Sequence, residues 1–417
     1  MLKLIVILLY LSKEAFDAFI KYLDSQYINK ELPENVRDVY NEEEYKNWVS
    51  YEKECGRIDM ISSIIDIILT LTLLITNAYA WIFDRLSGMN VYLQYAVFIL
   101  IFSVIRLIID TPFDYYDTFV IEEKYGLNKS TKKTFWLDLI KGFLIGTPIS
   151  YGLMMLIMVL FEVFGNMAII WGTVASLIIV LLIMLIIVPV MRIFNKFDPL
   201  QDGELKDQLL ALCDKYGIRV RKIVVRDASR RTTTSNAFCT GIGDRKTISL
   251  DDNLVNEYSP EEITAVFAHE FAHAKYHHSV KSLPFSVFNI VIVFTALAIV
   301  LNIPGLYTAF GFEGINYYLA QMLTSVIIWP LSTMLSAIGN YLSRRHEYEA
   351  DAFAAVEGYG EELISALKRL NKESLSDINP HPATVLLNYS HPTLSQRIEA
   401  IERAARKTER VNHDSDI

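Results

Sequence analysis

The chain has 417 residues, of which 52% are hydrophobic and 21% charged, and its mean hydropathy is positive. That balance is unusual for a soluble globular protein. The net charge of −9, with acids spread among basic residues, leaves no basic footprint for nucleic acid.

Apolar runs come first in chain order. Residues 2 to 23 carry Lys13, Glu14 and Asp17 in their second half. They could form a signal peptide, an interfacial helix or a span; lacking the short core and small-residue cleavage site of a cleavable signal, they are counted as a span. Runs at 59 to 83, 91 to 110, 142 to 164 and 168 to 191 each supply the roughly 20 residues of a membrane helix, and 282 to 303 and 318 to 339 follow. Seven transmembrane helices are predicted. Residues 24 to 58 hold Lys30, Arg37, Lys46, Lys53 and Arg57, and 111 to 141 hold Lys124, Lys129, Lys132, Lys133 and Lys141, whereas the intervening connections are nearly bare. The excess of positive charge places these loops in the cytosol and the amino terminus outside. Cys55, Cys213 and Cys239 are isolated on the cytosolic side, which predicts reduced thiols.

The chain thus divides into residues 1–192, five spans with cytosolic loops; 193–281, a polar block; 282–340, two more spans; and 341–417, a second polar block. In the first block a helical pattern at 203 to 217 gives way to strand signals in RKIVVRD, SNAFCTGIG and KTISLDD. Turn residues Gly241, Gly243 and Asp244 separate the last two, so a small antiparallel hairpin or sheet is predicted. It leads into a helix that starts near Ser259 with Pro260 at its first position.

That helix carries AVFAHEFAHAKYHH, residues 265 to 278. At 3.6 residues per turn, His269 and His273 stand on one face, and both imidazoles can reach one ion. His277 continues the face but lies about 12 Å from His269 along the axis, too far to share bonds of about 2.0–2.1 Å. His278 points about 100° away from His277. Glu270 between the pair completes H-E-x-x-H, in which the glutamate is the base of a zinc protease. Such a pattern also arises by chance, and the extended form with a third histidine is absent, since Tyr276 and Ser279 occupy its places. A third ligand must come from a distant segment.

The two spans after this helix leave and re-enter on one side, which brings residues 341 to 417 to the same surface. There, in SRRHEYEADAFAAVEGYG, Glu347 and Asp351 share a helical face. Glu347 is assigned to the metal, and Asp351 to accepting a hydrogen bond from the other nitrogen of a ligand histidine. A charged helix pairing its glutamates with Arg344 and Arg345 is the bland alternative. Three protein ligands leave one position for water, whose proton Glu270 would take. Asp66, Arg106, Asp110 and Glu162 lie in or at the ends of apolar runs, where charges should face one another or water.

With both motifs in place, the chain resembles the Ste24-type CAAX prenyl proteases, integral-membrane zinc metalloproteases of peptidase family M48. DTPFDYYDTFVIEEKYGLNKST (110 to 131), SNAFCTG (235 to 241), HEFAH, EYEAD and SHPTLSQRIEAI (390 to 401) stand in the family's order. The resemblance implies an all-α membrane fold, seven helices in a barrel around a large chamber, capped by a gluzincin-type domain. It implies one zinc ion per chain and a monomeric endopeptidase that removes the last three residues of prenylated CAAX proteins. Asn236 would fasten the substrate backbone, and His391 and Arg397, resembling the family's pair near the metal, would donate hydrogen bonds to the developing oxyanion or to a substrate carboxylate. Read without the family, these three are a turn asparagine, a helix start and a surface charge. His277, His278, His346, His381 and His413 receive no role. The compartment implied is the endoplasmic reticulum or inner nuclear membrane in a eukaryote, or the cytoplasmic membrane in a bacterium. Competing expectations are a membrane quality-control metalloprotease, a type with fewer spans, and a transporter or scaffold with an inert zincin domain, which loss of Glu270 or either histidine would favour.

Overall fold

The computed structural model describes residues 1–28, 30–218, 220–240 and 246–415. The predicted turn at Gly241, Gly243 and Asp244 lies outside them.

Helix α1 (Leu2–Tyr27) leads to α2 (Glu42–Ile75), whose start is fixed by a capping box between Asn41 and Glu44. A short α3 (Ala78–Arg85) precedes α4 (Val91–Tyr116), capped by Asn90. Helices α5 (Lys132–Phe164) and α6 (Ala168–Met191) are joined by a single 3-10 turn, Gly165–Met167. Five stretches among the described residues are long and apolar enough to cross a membrane: Glu42–Ile75, Val91–Glu122, Lys132–Ile183, His278–Leu301 and Tyr317–Glu373. The expectation was seven. The difference has two sources: the third stretch contains both α5 and α6, and α1 carries Lys3, Lys13, Glu14 and Asp17. Large apolar side chains such as Ile108, Leu144, Val163 and Ile170 stand more than half exposed on these helices, as a lipid-facing surface requires. Arg106 pairs with Asp66 and, at 3.7 Å, with Asp110, so these three charges meet one another, whereas Glu162 is exposed.

The polar domain begins with β1 (Phe197–Pro199), α7 (Glu204–Lys215), β2 (Val220–Arg226), β3 (Ala237–Thr240) and β4 (Lys246–Asp251). The strands form one sheet in the order β1-β2-β4-β3. The expected antiparallel pairing of β3 and β4 is present, with Ala237 opposite Leu250. The sheet as a whole is mixed, because β2 and β4 run parallel with Ile223 opposite Ile248. This corrects the all-antiparallel expectation. The physical reason is burial: Ile248, Ser249 and Leu250 are hidden on both faces, so β4 takes a central place and β3 is left on the edge.

After α8 (Asp252–Glu257) comes the histidine helix α9 (Pro260–Lys275). The helix starts at Ser259 with Pro260 at its first position, as the sequence predicted, and Ser259 and Glu262 form a capping box there. The helix then stops. His277 adopts φ 53 in the left-handed region and starts a new turn, α10 (His278–Lys281), so the continuous helix expected through His278 is broken. Helices α11 (Leu283–Leu301), α12 (Pro304–Ala309) and α13 (Tyr317–Ala354) follow, and α13 runs without interruption from the apolar layer into the polar domain. A π turn at Ala355–Tyr359, in which Gly358 takes φ 94, redirects the chain into α14 (Gly360–Glu373). Helices α15 (Pro382–Asn388) and α16 (Leu394–Ser415) complete the domain.

Two cores result. One, around Phe98, Met158, Tyr307 and Leu323, joins the apolar helices. The other surrounds α9 with Leu209, Leu250, Phe267, Phe271, Phe353 and Ile401, and residues before α2 and on its first turns, Val36, Tyr40 and Trp48, are buried in it too.

Candidate metal centre

Helix α9 packs against α13, α14, α7 and β3, which fixes the directions of its polar side chains. The Nε2 atoms of His269 and His273 lie 3.3 Å apart. From α13, the Glu347 oxygens approach to 3.4 Å from each of them. A tetrahedral ion with bonds of about 2.0–2.1 Å requires donor-to-donor edges of about 3.3–3.4 Å; the edge between the two imidazoles has that length, and each imidazole meets one of the two Glu347 oxygens at 3.4 Å, Oε2 at His269 and Oε1 at His273. Glu347 Oε2 is buried without a well-formed hydrogen bond, although His391 Nδ1 stands 2.8 Å away. The donor set and its spacing fit a metal ion, and these three residues are the group among the described residues that could hold one.

The electrostatics agree. Burial lowers the His269 pKa, but hydrogen bonds to Asp351 and Glu347 overcome this and raise it to about 9. Carboxylates that hold a proton there suit a divalent cation. Burial next to His269 pushes His273 down to about 4, so its ring is a neutral donor at ordinary pH. Burial also raises the Glu270 carboxyl above the usual carboxylate range, opposed by His269.

The assigned residues surround this centre. Asp351, fully buried, accepts from His269 Nδ1 at 2.9 Å, the contact its helical spacing predicted. Arg397 binds Asp351 through two nitrogens, at 2.6 and 2.9 Å. The guanidinium is therefore turned onto that carboxylate, whereas the sequence expectation aimed it at substrate. His391 precedes α16 and remains well exposed beside Glu347. Asn236 is exposed at the start of the edge strand β3, its Oδ1 accepting from the Ala237 amide at 2.8 Å. A cleft of about 150 Å³ brings together Asn236, His269, Glu270, His391 and Arg397, walled by Leu363, Leu367 and Leu370 of α14. A larger cavity of about 270 Å³ lies against Arg344 and Val385 and contains none of the metal-binding residues.

Sequence reasoning missed two residues. His278 Nδ1 lies 2.9 Å from His273 Nδ1, and His278 Nε2 lies 3.1 Å from Glu349 Oε2. The only signal was proximity to H-E-x-x-H, and an unbroken helix would have pointed His278 elsewhere. Arg344, offered as a partner for the acids of α13, instead donates to the carbonyls of Val385 and Tyr389.

Comparison with known proteins covers both the apolar part and the polar domain. The family model described as "CAAX prenyl protease N-terminal, five membrane helices" covers residues 24–196, and that of "Peptidase family M48" covers 199–405. CAAX prenyl protease 1 of Saccharomyces cerevisiae is 29% identical, with 97% of this chain and 96% of the relative aligned. The CAAX prenyl protease 1 homolog of Oryza sativa subsp. japonica is 32% identical over 91% of this chain and 92% of its own. The crystal structure of S. mikatae Ste24p superposes with a TM-score of 0.88 at 30% identity, covering 96% of this chain and 99% of that one. The chain therefore belongs to the CAAX prenyl protease family within peptidase family M48, and it is a membrane-embedded metalloprotease.

Proposed function

We propose that the protein is a zinc endopeptidase that removes the carboxy-terminal tripeptide of prenylated CAAX proteins. The observation that carries this reading is the triangle of His269, His273 and Glu347 donors, with Glu270 in the adjoining cleft. Zinc held by these three residues supplies Lewis-acid polarisation of a carbonyl and lowers the pKa of an attacking water. Glu270 takes the proton from the attacking water and returns it to the leaving amine; burial raises its carboxyl, which favours the protonated form it passes through between the two. Asp351 fixes the His269 tautomer, and Arg397 holds Asp351 in place. His391, at the cleft mouth, donates a hydrogen bond to the carbonyl oxygen as charge develops there.

The peptide lies extended along the open edge of β3, with the Asn236 amide fastening its backbone and the α14 leucines receiving a side chain. Helices α1, α2, α4, α5, α6, α11 and α13 are the seven spans, and they enclose a chamber for the lipidated chain end. Burying a prenyl group there contributes about 0.8 kcal/mol per methylene. The centre faces the cytosol, and the endoplasmic reticulum is the compartment if the source is eukaryotic.

The test is cleavage of a farnesylated and an unfarnesylated CAAX peptide by purified protein, with Glu270→Ala as control. Preferential cleavage of the farnesylated peptide, lost in the variant, is the expected result. Equal cleavage of both removes the prenyl assignment.

A further inference from the structure

The His269 ring is backed directly by a carboxylate, but the His273 ring is backed by another histidine. His273 presents Nε2 to the metal-binding group, so in its neutral form the proton sits on Nδ1. Its partner at 2.9 Å is His278 Nδ1, which must then be the acceptor. The His278 proton is left on Nε2, where it donates to Glu349 Oε2 at 3.1 Å. Every tautomer along this line is determined, and it ends on a carboxylate that Lys281 also touches at 3.3 Å.

The surroundings hold His278 in that role. Its ring stacks on His346 with centroids 4.3 Å apart and planes 8° from parallel, and it is 4% exposed. The left-handed backbone of His277, at φ 53, places it there, and without this break His278 would point off the His273 face. Strain of this kind persists where the surrounding structure over-determines it, and it gathers at functional sites.

We propose that His278 and Glu349 are positioning residues for the metal, acting as a histidine-carboxylate relay that fixes the tautomer and direction of His273. The proposal rests on the zinc-peptidase reading. Removing such outer hydrogen bonds typically lowers metal affinity 10–100-fold.

The test is the rate at which zinc passes from the full-length protein in detergent to a chromogenic chelator. His278→Asn keeps an acceptor where Nδ1 stands, whereas His278→Phe keeps the volume and the stacking face but accepts nothing. The relay requires the phenylalanine variant to lose zinc at least about tenfold faster than wild type and the asparagine variant to stay close to wild type. A purely packing role gives the reverse order, since Asn leaves a gap. The cobalt-substituted forms should show the same ranking, with a shifted visible band for His278→Phe. Should that variant fail to fold, Glu349→Ala decides: faster zinc release supports the relay and unchanged release overturns it. Wild type that retains no zinc overturns both readings. Wild type with one zinc per chain and a phenylalanine variant that holds it equally well overturns the relay alone.

Discussion

Glu270 lines the same cleft as His269 although it points about 100° around α9 from it. Glu270→Gln is expected to retain metal while cleavage falls about 10²–10⁴-fold; elemental analysis beside peptide hydrolysis checks both halves. Arg397→Met leaves the buried Asp351 charge without its partner and should destabilise the polar domain by about 3–5 kcal/mol, with partial recovery on adding Asp351→Asn. Melting temperatures of the single and double variants measure the coupling. Asp377, between α14 and α15, offers a pH test: burial, then the nearby Asp24 charge, raise its pKa to about 6, against a hydrogen bond from the Asn379 amide. A raised acid pKa means that the folded state prefers the protonated form, so stability falls as pH rises from about 4 to about 6 and stays reduced above. Asp377→Asn should therefore melt higher than wild type at pH 7.5, with the advantage shrinking as pH falls through that window. The candidate ligands His269, His273 and Glu347 were legible in the sequence because His269/His273 and Glu347/Asp351 both repeat at one helical turn. His278 and Glu349 were not, since nothing at position 277, such as a glycine, announces a left-handed residue.

Helices were legible where periodicity and capping agreed, as at Ser259–Pro260 and at the long apolar runs. The sheet was legible only as its local hairpin. The parallel β2–β4 pair joins segments separated by β3, and choosing it depends on burial of Ile248 and Leu250 in a core built from residues far along the chain, including Trp48. Close helix approach was equally hidden. A Cβ on Gly172 of α6 would stand 2.2 Å from the Phe294 ring of α11, which also stacks near Phe161. Gly172→Ala should thus lower the melting temperature. Gly152→Ala in α5, where a Cβ meets nothing within 4 Å, should leave it unchanged or raise it, because alanine is the better helix former. Equal behaviour of the two variants would contradict the packing described for α6 and α11.

At the scale of the whole molecule, two polar blocks separated by α11 and the apolar part of α13 close around one centre. Hydropathy anticipated that return, but not the contribution of Val36, Tyr40 and Trp48 to the polar core. Helix α13 has 38 residues and joins the apolar layer to Glu347 in one piece, with Pro330 as its single internal proline. From Pro330 to Glu347 the helix extends about 25 Å, so a lean of about 5° carries the carboxylate sideways by about 2 Å. Metal sites tolerate roughly 0.5 Å. The enzyme is thereby made a gauge of bilayer thickness: lipids whose acyl chains are too short or too long should force that lean and slow hydrolysis, and turnover should peak in vesicles of intermediate chain length.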